Sequence, residues 1–241
     1  MKNQVFPWIG VAVVLQLATA CTLHAALITS ITEGLTGPYT IVSSVADGGA
    51  GLQDGSEAFV DRTNRPWTGP SGGSIASYLL GLEYVKTRNN DKDNDNLAVA
   101  VTFGDFARVY LFDYHTVNVP VTGAMFTTVD TNQIALNEGG TLRSYWLRQA
   151  VVAPGDTITI GRGSSLMWGL AVAPRPSVLQ WEGDAGTGWN NGTNAVDTNW
   201  TDGTTAPGDQ VKPMSGNDLV FTRAGTYSGD LDLGGANFEL N

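Results

Sequence analysis

The chain is poor in the side chains that carry most reactive chemistry. Its 241 residues include one cysteine, Cys21, and two histidines, His24 and His115. Beyond residue 26 there is no cysteine, so no internal disulfide can form, and His115 is the one histidine left. A zinc centre needs three or four His or Cys donors, and neither H-E-x-x-H nor C-x-x-C occurs. No phosphate-cradling or dinucleotide glycine pattern opens a helical run. Basic residues are scarce as well: 13 Lys+Arg stand against 23 Asp+Glu, a net charge of −10. Without a basic surface to displace counterions from phosphates, a nucleic-acid partner is excluded. Only 15% of residues are charged, while 42% are hydrophobic. That is too apolar for wholesale disorder and too evenly spread for a multispanning membrane protein. The length suits one or two domains with a sizeable core.

The longest apolar stretch lies at the start. Lys2 supplies a positive end, residues 9–18 are apolar apart from Gln16, and Ala18-Thr19-Ala20 forms a small-residue cleavage site before Cys21. A second such site is Leu23-His24-Ala25. Residues 1–26 are therefore expected to be a cleaved export signal, its apolar run short of the ~20 residues a span requires. Export to the cell surface or beyond follows, with no membrane span after cleavage. Leu17-Ala18-Thr19-Ala20-Cys21 also resembles a degenerate bacterial lipobox, with Ala18 where a large aliphatic is usual. A lipid anchor at Cys21 and a leader cysteine lost on cleavage are the two alternatives.

Charge then divides the remainder. Residues 27–177 hold 10 basic and 14 acidic side chains, a net of −4. Residues 178–241 hold 2 and 9, a net of −7, together with Trp181, Trp189 and Trp200. The Pro-bearing stretch 175–178 reads as a linker between residues 27–174 and a Trp/Gly/Asn-rich segment, 179–241. The first part carries strand signals. Leu97, Val99, Val101 and Phe103 share one face of an extended run, and Val109, Leu111 and Asp113 alternate with Tyr110, Phe112 and Tyr114 in the next. Gly104-Asp105 between them predicts a hairpin. Residues 157–160 follow the turn Pro154-Gly155-Asp156, residues 166–172 suit a closing strand, and residues 75–85 favour strand over helix because of Gly81, Tyr78 and Tyr84. Short strands between regular turn signals predict an all-β chain: a β-sandwich, jelly-roll-like, then a short β-repeat segment.

Two local clusters carry candidate chemistry. Gly69-Pro70-Ser71-Gly72-Gly73 has the letters of a nucleophile elbow, but the surrounding prolines and glycines describe a loop, and His115 would have to serve as its base. Asn89-Asn90-Asp91-Lys92-Asp93-Asn94-Asp95-Asn96 places three carboxylates at alternate positions. If that loop curls, Asp91, Asp93 and Asp95 converge on one hard cation, with Ca²⁺ the candidate cofactor; a solvated loop is the alternative. Asn96 stands where a helical calcium loop has glycine, and Thr102 where it has glutamate. Trp67, Tyr78, Trp146 and Trp168 suit either sugar stacking or a core.

Two resemblances extend this reading. Leu179-Gln180-Trp181-Glu182-Gly183, Gly188-Trp189-Asn190, Thr198-Asn199-Trp200, Ala206-Pro207-Gly208-Asp209 and Gly216-Asn217-Asp218-Leu219-Val220-Phe221 together resemble an autotransporter-associated β-strand repeat. The resemblance implies the opening of a right-handed β-helix, an array that needs roughly three repeats to bury its faces. Phe59-Val60-Asp61-Arg62 with Trp67, residues 81–92, Val109-Tyr110-Leu111-Phe112-Asp113 and Met167-Trp168-Gly169-Leu170-Ala171 resemble a module of exported, PEP-CTERM-type environmental bacterial proteins. That likeness implies location and fold rather than an activity. The expected function is an exported, non-catalytic structural or adhesion module of a bacterial surface, with no catalytic constellation. Two alternatives stand beside it: a carbohydrate-binding module, calcium-assisted or not, and the front of a polysaccharide-degrading β-helix enzyme. The expected partner is an extracellular polysaccharide or a cell-surface component.

Overall fold

A computed structural model describes residues 26–114, 119–163, 165–175, 178–181, 200–201 and 218–221. The chain is all-β, with curled sheets in a sandwich-like half-barrel. One antiparallel sheet has the order β1 (Ile28–Ile31), β5 (Ala98–Phe103), β10 (Thr157–Gly161), β7 (Val121–Thr122). The other has seven antiparallel strands: β2 (Thr40–Val42), β4 (Glu83–Lys86), β11 (Gly169–Pro174), β6 (Ala107–Tyr114), β9 (Thr141–Val152), β8 (Thr127–Glu138), β3 (Trp67–Thr68). A single hydrophobic cluster joins them, with Val99, Val101, Ile158 and Ile160 from the smaller sheet and Val109, Leu111, Leu147 and Leu170 from the larger.

Strand β5 follows its pattern: Leu97, Val99, Val101 and Phe103 are buried, and the residues between them are not. Strand β6 is buried on both faces from Ala107 to Asp113, because apart from Arg108 and Asp113 its aliphatic and aromatic faces are both apolar. The expected hairpin between them is corrected by the structure. Gly104-Asp105 does turn the chain, but β5 pairs with β1 and β10, and β6 pairs with β9 and β11. The turn crosses from one sheet to the other. Gly104 donates its N–H to the Leu27 carbonyl at 3.0 Å, and Phe103 donates to Asp156 at 2.9 Å, so the backbone groups a hairpin would use are already taken.

Residues 75–85 contain a short 3-10 turn, Ser77–Leu79, before β4. The expected closing strand begins at Gly169 and lies inside the larger sheet, between β4 and β6. The longest pair, β8 with β9, carried no strand expectation. It closes through Gly139-Gly140, at φ +61° and +94°. Positive φ at both central residues matches the twist of a two-residue hairpin, and glycine takes it without cost to a Cβ.

The sandwich runs to Arg175, whose N–H donates to the Phe106 carbonyl at 3.0 Å, and Val178 already opens β12 (Val178–Trp181). The expected linker thus loses both its ends to strands or their contacts. Strand β12 pairs antiparallel with β13 (Trp200–Thr201) and parallel with β14 (Asp218–Phe221). The expected signal and Cys21 lie outside the described residues but for Ala26, as does most of segment 179–241.

Candidate functional site

The Asp-rich run forms a 3-10 turn, Asn89–Asp93, directly after β4. Asp61 fixes its start: its two carboxylate oxygens accept the N–H groups of Asn89 at 2.9 Å and Asn90 at 3.1 Å. With three residues per turn, alternate side chains leave in different directions, and the three candidate calcium ligands separate accordingly. Asp91 is fully buried. One of its oxygens accepts the Thr36 N–H and the other the Tyr39 hydroxyl, both at 2.9 Å. Burial, reinforced by this carboxylate, pushes the Tyr39 phenol well above its ordinary pKa. Gly34 makes the space for that contact, since a Cβ there would sit 2.0 Å from Asp91 Oδ2 and 2.3 Å from the Tyr39 ring. Asp93 is exposed and takes Lys92 Nζ on both oxygens, at 2.6 and 2.7 Å. The ammonium's hydrogen bond holds its carboxyl below the usual range. Asp95 is also exposed and pairs with Arg162. The run braces the loop before β2 and two surface ion pairs rather than gathering three carboxylates. Among the described residues no group of three or more His, Cys, Asp or Glu side chains is placed to hold a metal.

What does converge here is positive charge. Strand ends from β4, β6 and β8 leave the larger sheet at the same edge where β3, β9 and β11 enter it. A pocket of about 290 Å³ opens there, lined by Arg62, Arg65, Asn89, Lys92, Tyr114, Glu138, Arg143, Ser165 and Leu166. Four of the chain's 13 cationic residues thus face one carboxylate in a protein of net charge −10. Glu138 is shared between Arg65 Nη1 at 2.6 Å and Arg143 Nε at 3.1 Å. Its hydrogen bond holds the Arg143 guanidinium further in the charged state. Arg62 donates to a neutral amide, Asn90 Oδ1, at 3.2 Å, and acts on the Asp93 carboxylate at longer range. Asn89 is fully buried, and neither its amide nitrogen nor its amide oxygen has a hydrogen-bond partner. A buried polar group left in that condition costs about 1–3 kcal/mol. These residues span positions 62 to 166, so no local motif announces them; scarce basic residues placed at strand ends are the signal that could have found them.

The remaining candidates are placed as follows. Ser71 is exposed in a single 3-10 turn, Pro70–Gly72, with a φ of +54°. A nucleophile elbow places its serine between a strand and a helix, and here no helix follows; His115 lies outside the described residues. Trp67 and Trp168 are buried. Trp67 stacks edge-on against Phe112 at 5.3 Å and Tyr145 at 5.1 Å, which assigns it to the core. Tyr78 is half-buried, and Trp146, at 38% exposure, is the most open of the four rings singled out. They make no row on a solvent-facing sheet.

No protein-family model, curated protein sequence or solved structure matches the chain.

Proposed function

We propose that the protein is an exported, non-catalytic module of a bacterial surface or its surroundings, and that it acts by binding. The observation that carries this reading is the composition of the pocket at the sheet edge. Its three guanidinium groups do not release protons at neutral pH, so they orient and neutralise rather than exchange protons. Its one carboxylate, Glu138, is already held by two of them. Among the described residues the pocket is rich in donors and pairs no nucleophile with a base, an arrangement for holding a ligand rather than transforming it. Two of the segments that carry the exported-module resemblance, residues 59–62 and 81–92, meet here. Asp61 accepts from Asn89 and Asn90, Arg62 donates to Asn90, and Tyr114 and Leu166 adjoin the other two segments.

The tail supports a structural role. Trp181 is in register with Trp200 on one side and Phe221 on the other, so the described aromatic positions of the repeat resemblance lie on three paired strands. The parallel pair joins Val178 to Asp218, 40 positions apart. Parallel pairing of successive turns is what a β-helix requires.

The test is to express the full chain in an exporting bacterial host. Recovery outside the cytoplasm, with the N-terminus cut near residue 20 or 25 and no sugar ends released from a panel of polysaccharides, is expected. Full-length protein in the cytoplasm rejects export. Release of reducing sugars rejects the non-catalytic reading in favour of a polysaccharide-degrading enzyme.

A further inference from the structure

We infer that the pocket at the edge of the larger sheet is a binding site for a small hydroxy acid, a sugar acid such as a uronic acid being the fitting class. The inference rests on the reading of that pocket as a binding site and names what it takes. Arg62, Arg65, Lys92 and Arg143 bring four positive charges to a space whose one lining carboxylate is Glu138. Glu138 is shared by Arg65 and Arg143, and Lys92 is held by Asp93 from outside the lining. Arg62 donates to a neutral amide and feels the Asp93 carboxylate only at longer range, so a ligand carboxylate meets a guanidinium that no carboxylate among the described residues hydrogen-bonds. A planar carboxylate suits a planar guanidinium, which offers two parallel N–H donors.

Asn89 decides between a bare anion and a hydroxy acid. Its amide nitrogen lacks an acceptor and its amide oxygen lacks a donor, both while fully buried in the pocket wall. A bare oxyanion satisfies the nitrogen alone. Both atoms lie behind the lining surface, so a ligand meets them once the amide turns into the pocket; there a carboxylate with a hydroxyl nearby would satisfy both, because a hydroxyl donates as well as accepts. Tyr114 and Ser165 place further hydroxyl groups on the lining. About 290 Å³ lies at the small end of ligand pockets and suits one sugar ring.

The experiment is calorimetric titration of the full chain with galacturonate, with glucose as the uncharged control and sulfate as the bare anion. Galacturonate is expected to bind saturably, weakening as salt is raised, with sulfate at least tenfold weaker and glucose undetected. Arg62→Gln is expected to lower galacturonate affinity tenfold or more. Arg162→Gln, whose ion pair with Asp95 lies outside the lining, is expected to leave it unchanged. Arg62 is only half-buried, so its variant keeps the fold, which circular dichroism checks. Equal affinity for sulfate overturns the hydroxy-acid assignment while leaving a binding pocket. Absence of galacturonate binding, or equal loss in both variants, overturns the site.

Discussion

At the scale of single residues, the buried charges are brackets between elements. Glu83 of β4 accepts the Ile28 N–H at 2.8 Å and so ties the larger sheet to the first strand of the smaller one. Burial pushes its carboxyl above the ordinary 4.5, the Ile28 hydrogen bond opposing and the Asp47 charge adding to the rise. A raised folded value means that the native state binds more protons than the unfolded chain above that pH. The stabilisation is therefore complete below 4.5 and is lost as pH rises through the folded value. Asp113, raised chiefly by burial against the pull of Val119 and Arg148, contributes with the same sign. The melting temperature is expected to fall as pH rises above the ordinary 4.5, and Glu83→Gln, which keeps an acceptor for Ile28, to flatten that fall. An unchanged slope in the variant, followed by thermal melting across pH, removes Glu83 from the account.

At the scale of elements, the hairpin of β8 and β9 carries the pocket's Glu138 and Arg143 on either side of its turn. Open space surrounds both glycines there, so a substitution meets the backbone preference alone. Gly140→Ala is expected to cost about 1 kcal/mol, read as a lower urea midpoint, while Gly139→Asn is tolerated because asparagine suits the first position of this turn. The same hairpin shows where sequence patterns fall short. Its strands are rich in Thr, Asn, Gln and Arg, which blurs the alternation that made β5 legible. The paired glycines were the stronger sign. The turn at Gly104-Asp105 was legible as a turn, but a turn does not say which sheet receives the next strand; that choice depends on β1, β10 and β11, far away in the chain. For the site, the Asp run was legible as a polar loop. Its divergence was not, because a 3-10 turn and an open curl have the same letters.

At the scale of the whole molecule, every strand of the two large sheets finds its partners between residues 28 and 174. A chain ended after Ser177 is expected to melt at the same midpoint as the full chain, measured by calorimetry under identical conditions. A drop of several degrees assigns the tail a part in the sandwich. The charge asymmetry reads differently at this scale too. An overall −10 and a tail of −7 hide a positive focus at one sheet edge. Because the low-dielectric walls of a cleft concentrate a local field, that focus attracts an acid which the molecule as a whole repels.

The strand order has one more consequence. In the two large sheets, β8 and β9 alone join neighbours in the chain; β5 waits for β10, and both β4 and β6 wait for β11. Closing such distant pairs costs loop entropy before any contact repays it, which puts folding in the millisecond-to-second range. The larger sheet therefore lacks the strand between β4 and β6 until residue 174 has been synthesised. A slow, late-collapsing chain is the form that a translocation channel accepts, so this topology is compatible with the export proposed above.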